Sequence, residues 1–171
     1  MARRPDGLVD ALSFRLHAKP WSKRRALGYE DWYLVRDFRS LGVLNDAAVA
    51  YQSKRQHDDV ARDAIAGAGG VYKLLAGKLP AREARLSIWM RKPRRTPYPV
   101  FLDDISRLAS DRRTALWRRQ MALSPAPEFC LHSELRLELP GRFNPAILRV
   151  QVVGAMSGKH SAEGAEGLGE S

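Results

Sequence analysis

The side chains that could take part in chemistry are densest in residues 117–132. This stretch holds two adjacent arginines, a Pro-x-Pro turn and the only cysteine of the chain, with an acidic and an imidazole side chain beside it. Such groups could bind an anion, carry a nucleophile or exchange protons. No complete catalytic or cofactor motif is present, so the sequence leaves open whether the protein is an enzyme.

Cys130 and His132 are the candidate reactive pair. Residues two apart on a strand share a face, so the imidazole could lower the pKa of the thiol and make it a nucleophile or a redox group. The alternative is a buried thiol that acts as a small hydrophobic residue, which is a common fate of free cysteine and the favoured interpretation.

Arg118 and Arg119 could form a bidentate site for an anion or a carboxylate, together with Glu128. On a strand the two arginines point to opposite faces, so only one can enter a pocket. The favoured alternative is a structural ion pair that fixes the Pro-x-Pro turn. Trp89 and Trp117, with Trp32, could line an apolar ligand cavity, or they could belong to the core or to a dimer interface.

No motif for a metal, a nucleotide or a flavin can be identified. His132, His57 and His17 could ligate an ion with Glu128 or Asp58, but their spacing matches no metal-binding motif, and we predict no metal site. The glycines of residues 67–70 lack the lysine-serine ending of a phosphate loop and indicate the end of a helix instead.

The formal net charge of +10 and the pI near 10.2 are compatible with a nucleic-acid partner. The candidate residues for such a surface lie in two basic runs: Lys23, Arg24, Arg25, Arg91, Lys92, Arg94 and Arg95. No nucleic-acid-binding motif accompanies them, so a solvated charged face is favoured.

The 171 residues fit one α+β domain over residues 8–156. Residues 1–7 are expected to form a flexible basic leader and residues 157–171 a disordered glycine- and glutamate-rich tail. No run approaches the roughly 20 apolar residues of a membrane span. The single cysteine and the lack of a signal-like apolar segment favour a cytoplasmic protein.

Periodicity predicts the elements that position these residues. Strands are expected at residues 8–18, 31–38, 71–75, 85–90, 115–123 and 128–139, and residues 147–153 are expected to add an edge strand. Helices are expected from an N-cap at Ser40 to residue 51, from Asp58 or Asp59 to residue 66, and from Pro97 to residue 108. Strand is favoured over helix at 31–38 and at 115–123. The core order β-α-β-β-α-β predicts a ferredoxin-like antiparallel sheet with its helices on one face, and a homodimer that covers the other face.

Three segments carry a resemblance to a group of uncharacterised prokaryotic proteins: EDWYLV at 30–35, LGxLNxAAV at 41–49 and LWRRQMxLxPAPEFC at 116–130. The order of elements is also similar to that of dimeric α/β-barrel proteins of the NIPSNAP and EthD type. The first likeness implies no activity, and the second concerns topology and implies no site residues.

These observations lead to two functional hypotheses. The first is a cytoplasmic homodimer that binds a small anionic or aromatic metabolite near residues 117–132. Arg118 or Arg119 would hold the anion, and Cys130 or His132 would be the reactive group. The alternative is a non-enzymatic module that docks nucleic acid or an acidic protein on its arginine-rich surface.

Overall fold

The computed structural model describes residues 4–17, 28–50, 58–59, 62, 64, 67–78, 81–109, 113–123 and 126–155. These residues form seven strands and two longer helices: β1 (Leu8–Leu16), β2 (Gly28–Val35), α1 (Phe38–Val49), β3 (Gly70–Gly77), β4 (Leu86–Met90), α2 (Tyr98–Leu108), β5 (Thr114–Ala122), β6 (Phe129–Ser133) and β7 (Ala146–Ala155). Two single-turn 3-10 helices span Ala81–Glu83 and Gly141–Phe143. Strand was therefore the correct assignment for 115–123. The expected short helix ending at residue 66 lies largely outside the described residues.

All strands belong to one sheet of order β2-β1-β7-β4-β6-β5-β3, in which every neighbouring pair is antiparallel. The predicted ferredoxin-like fold, with both helices on one face of a β-α-β-β-α-β sheet, is therefore wrong. The described strands and longer helices follow the predicted order along the chain. However, β7 is not an edge strand as predicted: it lies between β1 and β4, and β2 and β3 are the two outer strands. Local periodicity carries no information on these long-range pairings.

The sheet is strongly curled, and the curl brings its outer strands together. Trp32 on β2 and Tyr72 on β3 lie at opposite ends of the strand order, yet their ring centroids are 5.7 Å apart. The ring centroids of Trp32 and Trp117 on β5 are separated by 5.1 Å. The concave face therefore encloses a core of its own, which contains these rings together with Phe14, Trp89, Cys130 and Leu148.

Helix α2 covers the convex face over β4, β6 and β5. Its fully buried residues Phe101 and Ile105 are spaced one helical turn apart, as the sequence predicts, and Pro99 lies in the first turn, where proline is tolerated. They pack in a cluster with residues of the convex face and with Phe143. The ring centroids of Phe101 and Phe129 are 5.0 Å apart, edge to face. The strands β4, β5 and β6 are therefore covered on both faces, by α2 on the convex face and by the core of the concave face.

Helix α1 lies against β1 and β2, and Ser40 is its one buried residue. Its N-cap is Asp37, not Ser40 as predicted. The Asp37 carboxylate accepts hydrogen bonds from the backbone N–H and the hydroxyl of Ser40, both at 2.7 Å, which satisfies an N–H that the helix itself leaves free. Gly7, at a φ of 76°, lies so close that a Cβ atom there would be 1.9 Å from the Ser40 hydroxyl oxygen.

Neither helix among the described residues is long and apolar enough to cross a membrane.

Candidate functional site

Cys130 and His132 lie side by side on β6 and point to the concave face. The alternating residues Phe129 and Leu131 point the other way, into the cluster beneath α2. The prediction that Cys130 and His132 share a face is confirmed. That face is not solvated, however, because the curl of the sheet leaves both side chains fully buried.

The sequence analysis did not identify Glu30, the acidic partner of this pair. Its Oε1 lies 3.2 Å from Nε2 of His132, although β2 and β6 are separated by three strands in the sheet. Because an ionised carboxylate only accepts hydrogen bonds, Nε2 is the donor. The contact runs across the trough of the curled sheet and joins residues that are 102 positions apart in the chain.

Three further donors converge on the Glu30 carboxylate. The hydroxyl of Ser87 lies 3.0 Å from Oε1 and 2.9 Å from Oε2. The indole N–H of Trp32 donates to Oε1 at 2.5 Å, and that of Trp89 to Oε2 at 3.2 Å. The carboxylate of a side chain that is only 9% exposed is thus surrounded by hydrogen-bond donors from β2, β4 and β6. We call Glu30, Ser87, Cys130 and His132 the polar cluster.

The charges of the polar cluster follow from these contacts. Burial acts to raise the pKa of Glu30, but the hydrogen bond and charge of His132, with the hydrogen bonds of Trp32 and Ser87, outweigh it and lower the pKa below its usual range. Burial raises the pKa of Cys130 well above its ordinary value, and the negative charge of Glu30 raises it further. Glu30 is therefore ionised at neutral pH and Cys130 is a protonated thiol.

Aromatic rings form the wall around the polar cluster. The ring of Trp32 lies edge-on to His132 with centroids 4.7 Å apart, and Trp89, Trp117 and Tyr72 surround Trp32. The predicted grouping of Trp89, Trp117 and Trp32 is therefore present. These rings pack against one another, and Tyr72 donates a hydrogen bond from its hydroxyl to the carbonyl of Pro127 at 2.7 Å.

Two buried nitrogen atoms in this region lack a hydrogen-bond partner among the described residues: Nδ1 of His132 and Nε1 of Trp117. A buried polar atom without a partner costs about 1–3 kcal/mol. The hydrogen bonding of His132 is thus complete at Nε2 and incomplete at Nδ1.

Of the predicted set of Arg118, Arg119 and Glu128, the side chains of Arg118 and Glu128 both contact Tyr98, the first residue of α2. The guanidinium of Arg118 stacks over the ring of Tyr98 at 5.1 Å, and that of Arg119 donates to the carbonyl of Ala126. The Glu128 carboxylate accepts a hydrogen bond from the Tyr98 hydroxyl. Arg118 and Glu128 thus contact the start of α2, and Arg119 ties β5 to Ala126.

A groove of about 990 Å³ opens at the N-terminal end of β4. Its apolar lining includes Leu86 and Val150, and its charged lining includes four arginines: Arg82, Arg85, Arg136 and Arg149. Two of these arginines have their backbone fixed by the sheet. Arg85 donates to the carbonyl of Ser133 and accepts from the N–H of Val150, both at 2.9 Å, and the carbonyl of Arg149 accepts from the N–H of His17 at 3.2 Å.

The predicted basic run at residues 91–95 lies elsewhere. Residues 23–25 fall outside the described residues, and residues 91–95 follow the C-terminal end of β4, the end opposite to Arg85. Lys92 is engaged there: its Nζ donates to the carbonyls of Pro93 and Thr96 and lies 5.0 Å from the centroid of the Tyr98 ring. Arg91, Arg94 and Arg95 are exposed.

Strand alternation places Glu30 on the same face of β2 as Trp32, but it gives no signal that β6 lies opposite. The groove arginines gave no comparable signal, because Arg85, Arg136 and Arg149 are scattered along the chain. Comparisons with family models, curated proteins and solved structures give no match to this chain.

Proposed function

We propose that this protein binds a small anionic molecule with an apolar or aromatic part, and that the binding site is the groove beside Arg85 and Arg149. The observation that carries the proposal is the groove itself, because it combines a metabolite-sized volume with a mixed apolar and arginine lining. The ligand class is the one expected from the sequence, but the site lies away from residues 117–132.

The charges of the groove favour an anion. Its lining holds four arginines and two carboxylates, those of Glu83 and Glu134. Arg82 is already paired with Asp10 at 2.7 Å. Among the described residues, no ion pair engages Arg85, Arg136 or Arg149. A planar guanidinium donates paired hydrogen bonds to carboxylate or phosphate oxygens, so these three arginines can bind an anionic group without breaking an existing salt bridge.

The test is ligand-induced thermal stabilisation with a panel of aromatic carboxylates and phosphate esters. The double variant Arg85→Ala/Arg149→Ala should lose the shift that wild type shows. The matched control Arg15→Ala/Arg39→Ala removes two exposed arginines outside the groove lining and should keep it. An equal shift in both double variants, or no shift in wild type with any member of the panel, would reject the groove as the site.

A homodimer remains part of this proposal. It is supported by the exposed aromatic side chains of the outer strand β2, where Tyr29 is 57% and Tyr33 58% exposed, and by the pairing of β2 along one side only within the described sheet. Light scattering after size exclusion should give twice the 19.2 kDa chain mass. Substitution of both tyrosines by serine should then give the monomer mass.

Docking of nucleic acid is the second candidate, favoured by the exposure of Arg91, Arg94 and Arg95. Arg85 precedes the five-residue strand β4 and this run follows it, so the two lie roughly 17 Å apart along the strand. Replacing the three arginines by glutamine should abolish retardation of RNA or DNA at low salt if they contact phosphates, and wild-type affinity should fall steeply with ionic strength. Retention of affinity in the triple variant would exclude this surface.

A further inference from the structure

We infer that Glu30, Cys130 and His132 form a binding site for a single divalent transition-metal ion of the zinc class. This site is separate from the arginine-lined groove and does not depend on the function proposed for it. The three side chains offer a carboxylate oxygen, a sulfur and an imidazole nitrogen, and these ligand atoms all lie within 4.8 Å of one another.

The spacing fits a common ion. In tetrahedral zinc sites with bonds of about 2.0–2.3 Å, two ligand atoms lie roughly 3.3–3.7 Å apart. The 3.2 Å between Oε1 of Glu30 and Nε2 of His132 is close to this edge length, so sub-ångström adjustments suffice at that edge. Three protein ligands leave a fourth position for water or another small ligand, which is the pattern of zinc sites with an open position.

The choice of ion follows from the donor set. A thiolate with an imidazole suits zinc and its borderline neighbours such as cobalt(II), whereas magnesium and calcium prefer oxygen ligands alone. As the Sγ–metal bond forms, Cys130 releases its thiol proton to solvent. His132 binds as the neutral imidazole, with its remaining proton on the other ring nitrogen. The bound centre is then neutral, because one carboxylate and one thiolate balance the two charges of the ion.

The surroundings are already arranged as those of a metal site. Ser87 contacts both prospective anionic ligands: its hydroxyl lies 2.9 Å from Oε2 of Glu30 and 3.6 Å from Sγ of Cys130. Trp32 and Trp89 hold the carboxylate through their indole N–H groups, so its orientation is fixed before an ion arrives. Such supporting hydrogen bonds typically change metal affinity by about 10–100-fold.

His132 presents one ring nitrogen to the other ligand atoms. Its side chain is fully buried and its Nε2 faces Glu30, whereas Nδ1 has no partner within the described part of the chain. An ion bound at Nε2 leaves Nδ1 unchanged, so the inference rests on the convergence of the three ligand atoms.

The experiment uses the full chain, refolded from denaturant with zinc or with cobalt(II) and freed of loose metal by gel filtration. Wild type should retain one ion per chain. The cobalt form should show visible bands of a low-symmetry site and a thiolate-to-cobalt charge-transfer band in the near ultraviolet. Apparent affinity should rise with pH, because the thiol proton competes with the ion.

Variants separate this site from metal bound elsewhere. Cys130→Ser should remove the charge-transfer band, Ser87→Ala should weaken binding about 10–100-fold, and Glu138→Gln, which changes an exposed carboxylate, should change neither. A wild-type protein that is folded by near-ultraviolet circular dichroism, yet retains no ion and shows no thiolate band, would overturn the inference. So would a band that survives in Cys130→Ser. If that variant does not fold, the presence or absence of the band in wild type decides.

Discussion

Replacing Glu30 by glutamine tests the view that the concave core is organised around an ionised carboxylate. Hydrogen bonds to a buried charge contribute about 1.5–3 kcal/mol each. The carboxylate accepts from four side chains, His132, Ser87, Trp32 and Trp89, and the single amide oxygen of glutamine can keep about two of these bonds. The free energy of unfolding should therefore fall by about 3 kcal/mol, within the range for removing one partner of a buried pair.

The difference between wild type and Glu30→Gln should depend on pH. Because folding lowers the pKa of Glu30 from its ordinary value of 4.5, the unfolded chain takes up the proton first as the pH falls. The stabilisation is thus fully present above about pH 4.5 and is lost as the pH drops through the folded-state pKa. The wild-type stability curve should be steeper than the variant's curve below pH 4.5, and the two should converge.

Urea unfolding followed by circular dichroism, at pH 7 and at several pH values below 4.5, measures both effects. In thermal unfolding at pH 7 the melting temperature should fall by about 6–12 °C, given about 2–4 °C per kcal/mol for a chain of this size. Glu138→Gln is the matched control and should stay within about 0.5 kcal/mol of wild type. A Glu30→Gln protein as stable as this control, or a difference between wild type and Glu30→Gln that does not shrink in acid, would refute the reasoning.

Three further changes test other parts of the fold. Gly7→Ala should cost at least about 1–3 kcal/mol in chemical denaturation, because the φ of 76° disfavours any side chain and the new Cβ would clash with Ser40; Gly42→Ala, in open space on α1, serves as the control. Phe101→Ala should lower the free energy of unfolding by about 3–5 kcal/mol, since its fully buried ring contacts Phe129 and Phe143. In metal-free protein the Cys130 thiol should react with a disulfide reagent far more slowly than in the denatured chain, because its side chain is fully buried. Because folding raises its pKa, wild-type stability should begin to fall near pH 9. Cys130→Ala should begin to fall only near pH 10, where tyrosines whose pKa folding also raises ionise in the unfolded chain.

The sequence predicted the elements of this protein better than their arrangement. The alternation around Phe129 and Leu131 identified β6, but it also continued to residue 139, whereas the strand ends at Ser133. There the serine hydroxyl donates to the carbonyl of Leu135 and accepts from its N–H, so the chain turns out of the sheet. Alternation shows that side chains share a face, and it does not show whether a neighbouring strand is present.

The candidate site was predicted only in part, because local patterns do not show which distant strands face one another. Cys130 and His132 are two residues apart on one strand, so their proximity could be inferred locally. Their contact with Glu30 depends on the curl of seven strands and on the position of β7, which no local pattern specifies. Glu30 also resembled an ordinary solvent-facing acid at the start of a helix or strand.

The polar cluster depends on an outer strand, and this has a consequence for how it exchanges with solvent. β2 supplies both Glu30 and Trp32 but is paired along one side only within the described sheet. Outer strands detach at a free-energy cost below that of global unfolding. Transient detachment of β2 would uncover Cys130 and His132 together while β4, β6 and α2 stay folded. Amide hydrogen exchange in β2 should therefore be faster than in β6, and its opening rate would limit how quickly any small solute reaches the concave core.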